Sequence, residues 1–152
     1  MLKKIFFTIL LFNLFNHCDY KPIYSNKSKV NHKIIIVSFT GDKNINDVIA
    51  TTLKRSSKES SGNILNISFD TKYSKSVLAK NSAGAITDYQ ADVITTFIIQ
   101  KGNYSENFLV NEKFNFKKMA DKYEEKNYEQ NIKKNLANSI SQKLILRLAV
   151  NQ

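Results

Sequence analysis

The sequence predicts an α+β fold, a two-layer sandwich in which two helices cover one face of a mixed four-stranded sheet. Four segments have the residue patterns of strands and two have the apolar spacing of helices, in the order β-α-β-β-β-α. The first two strands are separated by a helix, so they are parallel if they share a sheet, with a right-handed crossover. The length of 152 residues and a hydrophobic content of 42% suit one globular domain.

The first strand and helix are predicted from two short patterns. Residues 33–39 (KIIIVSF) are a β-branched run typical of a buried strand. After Gly41, apolar residues recur at helical spacing and form one face, with a break at 56–62. We expect Asn44 to cap this helix and Asp47 to favour the positive end of its dipole. The apolar face consists of Ile45, Val48, Ile49, Thr52 and Leu53.

Three alternating segments, 65–77, 85–99 and 108–116, predict an antiparallel meander with turns at 81–84 and 101–103. Alternation directs one set of side chains to the core and the other to solvent. Lys75 interrupts the inward set, and Ile94 and Ile98 make the outward set partly apolar. The inward residues are Leu65, Ile67, Phe69, Thr71, Tyr73, Val77, Tyr89, Ala91, Val93, Phe97, Ile99, Phe108, Val110, Phe114 and Phe116.

The last segment predicts a long amphipathic helix that covers the sheet. No proline or glycine follows Gly102, so nothing in the sequence breaks it. Its large apolar side chains, at about 1.5–3 kcal/mol each, make it a main source of core stability. The apolar ladder consists of Ile132, Leu136, Ile140, Leu144 and Leu148, widened by Ala137, Ile145 and Ala149.

The N-terminus has the pattern of a bacterial secretory signal. A basic start precedes an apolar run over 5–15, which is shorter than the roughly 20 residues that span a bilayer core. The only cysteine, Cys18, follows, and cleavage before it would leave a first residue able to carry anchoring acyl chains such as palmitate. An ordinary secreted protein, or a tethered signal anchor with an incidental cysteine, is the alternative. We predict a signal peptide over 1–17, a lipidated tether over 18–32 and a domain over 33–152.

The charge favours an anionic partner, and the motifs do not favour catalysis. Net charge is +10, and +8 without the leader, which suits nucleic acid, an anionic lipid surface or a phosphorylated glycolipid. Export argues against nucleic acid, and the strand aromatics share faces with aliphatic residues, which is a core pattern rather than a stacking platform. The sequence contains no cysteine–histidine cluster with metal-ligand spacing, phosphate loop or nucleophile elbow. We therefore expect no enzyme, metal or cofactor.

Several stretches resemble the lipopolysaccharide-assembly lipoprotein family LptE. Residues 18–24, Cys-Asp-Tyr-Lys-Pro-Ile-Tyr, resemble the family's Cys-Gly-Tyr-x-Pro-Leu-Tyr start, and 84–89, Gly-Ala-Ile-Thr-Asp-Tyr, resemble the start of its central hairpin strand. The element order agrees over essentially the whole mature chain. Asp19 departs from the usual glycine. An acidic residue there holds some lipoproteins in the inner membrane, so the sequence leaves the choice between inner and outer membrane open. The final helix is also similar through Ile140, Leu144, Arg147 and Leu148.

The resemblance implies a binding and assembly role. The LptE family plugs the large outer-membrane β-barrel LptD, helps it to fold and contacts lipopolysaccharide. It implies that this chain is anchored by lipid at Cys18 on the periplasmic side of the outer membrane, with an LptD-like barrel as partner. Lipopolysaccharide carries phosphates and acidic sugars, which lysines bind by charge. The candidate lipopolysaccharide-binding residues lie near strand ends and are Lys75, Lys80, Lys117, Lys118 and Lys122.

A different envelope lipoprotein of similar fold, acting as a binding or scaffolding module, is the main alternative. It predicts lipidation at Cys18 without a large barrel partner. The fold alone does not distinguish these two functions, because proteins with the same fold have many different functions.

Overall fold

Six elements make up residues 30–150, the part of the chain that the computed structural model describes. They are β1 (Lys33–Gly41), α1 (Lys43–Ser56), β2 (Ile64–Lys80), β3 (Ile86–Lys101), β4 (Tyr104–Lys117) and α2 (Lys122–Val150). The four strands form one sheet in the order β1-β2-β3-β4. β1 is parallel to β2, and the other two pairings are antiparallel. The predicted α+β fold and its element order are confirmed.

The core lies between the two helices and one face of the sheet. Alternate residues of β2 and β3 are buried there, as the sequence pattern predicts. Thr71 and Thr95 face each other across these strands. Their buried hydroxyls lie 3.2 Å apart and share a hydrogen bond, so neither is left without a partner. The helices contribute the other side of the core, chiefly through Ile45, Ile49, Leu53, Leu136, Ile140 and Leu144, all almost fully buried.

The cap of α1 differs from the prediction. Asp42, not Asn44, is the N-cap residue, and its Oδ1 accepts a hydrogen bond from the Ile45 amide at 3.1 Å. The helix begins at Lys43 because Asp42 has extended backbone angles and a carboxylate that reaches the free amides. The Asn44 side chain instead donates to Oε1 of Gln130 on α2, at 3.2 Å.

Helix α2 begins ten residues before the predicted apolar ladder. Asp121 starts it, since its Oδ1 accepts from the amides of Tyr123 and Glu124 at 2.6 and 3.0 Å. The ladder itself is confirmed, with all residues buried except the half-buried Ala149. The first turns lack an apolar face because they contact the sheet through charged side chains, and so a hydrophobic pattern does not reveal them.

Strand β1 ends where its backbone approaches that of β2 most closely. Gly41 has φ +99° and is paired with Thr71. A Cβ atom at Gly41 would lie 1.8 Å from the Thr71 carbonyl oxygen. Only glycine therefore fits this position without movement of the strands.

Residues just before β1 pack against the helices and strands. Val30 is fully buried and its amide donates to the carbonyl of Ser56 at 3.0 Å. His32 is also buried, at 5% exposure. The last residues of the predicted tether therefore pack on the domain. The predicted signal peptide over 1–17, the predicted lipid anchor at Cys18 and the rest of the predicted tether lie outside the described residues.

The face of the sheet away from the helices carries polar side chains interspersed with apolar ones. Ile94 and Ile98 on β3 are 37% and 42% exposed, and Leu109 on β4 is 62% exposed. At the sheet edge, the register of β1 shifts between Ile36 and Ser38, which leaves Val37 62% exposed. A bulge of this kind twists an edge strand.

Candidate ligand-binding end of the sheet

Strand register brings three of the five candidate lysines to one end of the meander. Lys80 is paired with Ile86 across the β2–β3 hairpin, and Lys117 is paired with Asp88 across β3 and β4. The Lys118 amide donates to the carbonyl of Thr87 at 2.8 Å, which keeps the chain beside the same strand end. Lys80, Lys117 and Lys118 therefore belong to one surface.

Lys122 joins this surface as the first residue of α2, four residues after Lys118. Lys126 lies one turn further along the helix, and residues at i and i+4 share a helix face. The sequence reasoning missed Lys126 because it started the helix at residue 132. We call the four exposed lysines Lys80, Lys117, Lys118 and Lys122 the basic end.

The turn beside the basic end is held by its own hydrogen bonds. The Asn81 side-chain oxygen accepts from the amides of Ala83 and Ala85 at 3.1 and 2.9 Å. The Asn81 amide also donates to the Ala85 carbonyl at 2.9 Å, which closes the loop. An ordered turn of this kind reduces the entropy lost when neighbouring side chains bind a ligand.

None of the four lysines of the basic end forms a salt bridge within residues 30–150. All four residues are exposed, and Lys118 has a longer-range attraction to Glu125, whose pKa its charge helps to lower. Several lysines within one surface attract phosphate and carboxylate groups more strongly than an isolated lysine does. The arrangement suits an anion with more than one acidic group.

Lys75 does not belong to the basic end. It precedes Lys80 by five strand residues, a distance of roughly 16 Å at the usual rise per residue. It lies on the helix-covered face, where its Nζ donates to Glu125 Oε1 at 2.8 Å and to Glu129 Oε2 at 3.1 Å. Its ammonium also lies 4.1 Å from the ring centroid of Tyr89. The structure therefore uses this lysine to join β2 to α2.

The two carboxylates that hold Lys75 are fixed by further contacts. Glu129 also accepts from the Tyr73 hydroxyl at 2.7 Å, and Glu125 from the Met119 amide at 3.1 Å. We call Tyr73, Lys75, Glu125 and Glu129 the Lys75 cluster. Sequence reasoning missed its acidic members, although a lysine at an inward strand position signals a charged partner.

The pKa directions within the Lys75 cluster follow from this geometry. Burial alone lowers the pKa of Lys75, but the hydrogen bonds to Glu125 and Glu129 outweigh it and the pKa is raised. The hydrogen bond from Lys75 is the main cause that lowers the pKa of Glu125. Burial, and then the Glu129 carboxylate, raise the pKa of Tyr73. Lys75 therefore stays charged and engaged at neutral pH.

Residues 30–150 contain neither a group of metal ligands nor a membrane-spanning helix. There, no three histidine, cysteine, aspartate or glutamate side chains group as a metal site would need. Neither described helix combines the length and hydropathy of a membrane-spanning segment.

Comparison with solved structures places the fold among bacterial lipoproteins. The chain is similar to the rare lipoprotein B of Shewanella oneidensis, with a TM-score of 0.57 and 11% identity over 74% of this chain and 92% of that one. A minor lipoprotein of Acinetobacter baumannii gives a TM-score of 0.58 and 10% identity over 80% and 94% of the two chains.

A third solved structure, an uncharacterised lipoprotein B of Nitrosomonas europaea, gives a TM-score of 0.54 and 13% identity over 80% and 86% of the chains. No family model matches the sequence, and no curated protein sequence matches it significantly. At these identities the likeness shows the fold alone, and that fold is one found in bacterial lipoproteins.

Proposed function

We propose that this protein is a lipid-anchored envelope lipoprotein of the LptE type. In this role it occupies and helps to assemble a large LptD-like outer-membrane β-barrel, and it contacts lipopolysaccharide. The observation that carries the proposal is the fold shared with rare lipoprotein B over 92% of that protein's chain. The leader followed by Cys18, and the LptE-like start at 18–24, support it independently.

The basic end supplies the surface for lipopolysaccharide in this proposal. Its four lysines are exposed and form no salt bridge within residues 30–150. Phosphates and acidic sugars bind such a surface through charge-assisted hydrogen bonds. Lys75 supports the surface indirectly, because its contacts with Glu125 and Glu129 hold the start of α2 on β2, the strand that ends at Lys80. The proposed role needs no catalytic group.

The partner and anchor are tested by purifying the tagged protein from detergent-solubilised envelopes of its native host. We expect a large β-barrel protein in stoichiometric amount and a chain that begins at an acylated Cys18, as measured by mass spectrometry. The Cys18→Ser variant should lack the acyl mass. An acylated chain with no barrel would contradict the assembly role, and a chain that keeps residues 1–17 would contradict the lipoprotein assignment as well.

The glycolipid surface is tested with the variant Lys80→Gln/Lys117→Gln/Lys118→Gln/Lys122→Gln. Its affinity for purified lipopolysaccharide at low salt should fall by about tenfold or more, since charged hydrogen bonds contribute roughly 1.5–3 kcal/mol each at best. The matched control, Lys54→Gln/Arg55→Gln/Lys58→Gln/Lys72→Gln, removes the same charge from exposed positions elsewhere. Equal losses in both variants would show attraction to overall charge and would exclude a specific surface.

A further inference from the structure

A second candidate site lies at the opposite end of the sheet from the basic end. It is a pocket with a volume of about 340 Å³, which is within the roughly 300–1,000 Å³ range of small-molecule sites. Leu65, Ile99 and Leu148 provide its apolar wall, from β2, β3 and α2. Its polar groups come from His32, before β1, and from the β3–β4 turn, where Lys101 is paired with Tyr104.

The charges around this pocket leave one cation without a partner among the described residues. Glu106 also lines the pocket, but Arg147 on α2 holds it through a hydrogen bond from Nε at 2.9 Å. Lys101 has no carboxylate within salt-bridge distance in the part of the chain that the structure describes. Its charge therefore gives the mouth of the pocket an affinity for anions.

His32 supplies a buried polar atom that has no partner within residues 30–150. The side chain is 95% buried, and its Nδ1 forms no hydrogen bond with any described residue. Burial, and then the positive charge of Lys101, lower the pKa of His32, so the imidazole is neutral at neutral pH. The nitrogen itself is almost inaccessible, so the imidazole borders the pocket as a neutral group and its Nδ1 is not a direct contact for a ligand.

We propose that this pocket binds a single-chain anionic amphiphile, with the first carbons of its alkyl chain against Leu65, Ile99 and Leu148 and its acidic head at Lys101. His32 lines the pocket, so its imidazole signals report whether the pocket is occupied. The described residues begin at Val30, next to this end, and Cys18 precedes Val30 by twelve residues in the sequence. A nearby source of lipid therefore rests on the anchor of the proposed function. The inference is independent of the basic end and of any barrel partner.

The experiment uses the chain from Asp19 to Gln152, which contains every element of the fold and has His32 as its only histidine. Octanoate, octyl phosphate and octanol are titrated below their micelle concentrations, and the imidazole nitrogen signals of His32 are followed by NMR. We expect saturable shifts with octanoate or octyl phosphate. The probe that binds more tightly shows whether the natural ligand carries a carboxylate or a phosphate head. Octanol should bind about tenfold more weakly, because it lacks the charged hydrogen bond.

Two variants separate the site from general charge effects. Lys101→Gln should weaken binding of the anionic probe by about tenfold. Lys54→Gln removes an exposed lysine from the last turn of α1 and should bind as the parent does. The proposal is wrong if His32 shows no saturable shift with either anion, if octanol binds as tightly, or if both variants lose affinity equally.

Discussion

Gly41 shows how a single backbone position limits the sheet. Gly41 lies where β1 approaches β2 most closely, and its φ is +99°. The Thr71 carbonyl oxygen occupies the space that a Cβ atom at Gly41 would need. Gly62 lies in the loop after α1, where an added Cβ atom would meet no described atom within 4 Å, and its φ is not positive. An alanine should therefore destabilise the fold at Gly41 but not at Gly62.

We expect Gly41→Ala to lower the free energy of unfolding by about 2 kcal/mol or more, because it adds both backbone strain and a steric clash. Gly62→Ala should change it little, or raise it by up to about 1 kcal/mol through a less flexible unfolded chain. Urea unfolding followed by circular dichroism measures both. Equal effects would show that the close approach at Thr71 is not important for stability.

A second residue-scale feature is the pair formed by Asp42 and Lys133. Nζ of Lys133 donates to Asp42 Oδ2 at 2.7 Å, and both side chains are mostly buried, at 18% exposure for Asp42 and 12% for Lys133. Burial raises the pKa of Asp42, but the hydrogen bonds from Lys133 and the Ile45 amide outweigh it and lower the pKa. The pair therefore stabilises the fold above pH 3.8, the ordinary value, and this contribution is lost as pH falls through the lower folded pKa.

Asp42→Asn keeps a good N-cap but removes the charge beside Lys133. We expect it to cost about 1–2 kcal/mol at pH 7 and less at pH 3, below the ordinary pKa, because the unfolded carboxyl is then largely protonated and its charge favours the folded state less. Asp47→Asn breaks an exposed pair with Lys43 and should cost under about 0.5 kcal/mol at pH 7. Unfolding curves at the two pH values measure this, and a difference for Asp42→Asn that does not depend on pH would contradict the explanation.

At the scale of elements, the two parts of α2 are held by different forces. Residues from Ile132 onward bury an apolar ladder in the core. The turns over 122–131 have no buried apolar residue and contact the strands mainly through the Lys75 cluster and an edge contact between Tyr128 and Phe116. We therefore expect the start of the helix to open locally while the core stays closed.

Lys75→Met tests this division, because it keeps the length of the side chain and removes its charge. Glu125 and Glu129 then lose their cation, and we expect a stability loss of about 1–3 kcal/mol. Hydrogen exchange should accelerate over 122–131 and stay slow over 132–148. Lys134→Met, at an exposed position on the same helix, serves as the control. Uniform acceleration along α2 in Lys75→Met would contradict two separately held parts.

At the scale of the whole molecule, periodicity accounts for what sequence reasoning found and what it missed. Apolar alternation and the i, i+4 ladder predicted all six elements, because the core that they form is hydrophobic. The start of α2 contacts the sheet through charged side chains far apart in sequence, which periodicity does not detect. The Asp42 cap is a local hydrogen bond to the Ile45 amide, and the sequence reasoning placed it two residues too late, at Asn44. The sequence placed all five candidate lysines near strand ends, but only the strand register shows that Lys80 and Lys117 share one end and that Lys75 lies away from it.

The topology of the sheet also has a consequence for folding kinetics. The hairpins β2–β3 and β3–β4 close over residues 81–85 and 102–103, whereas β1 reaches β2 only across α1. Short loops cost less closure entropy, so the meander should form early and β1 should dock after the rate-limiting barrier. Gly41→Ala would then accelerate unfolding and leave the refolding rate nearly unchanged. Stopped-flow measurement of both chevron limbs distinguishes this order from one in which β1 docks first, for which the refolding limb would slow instead.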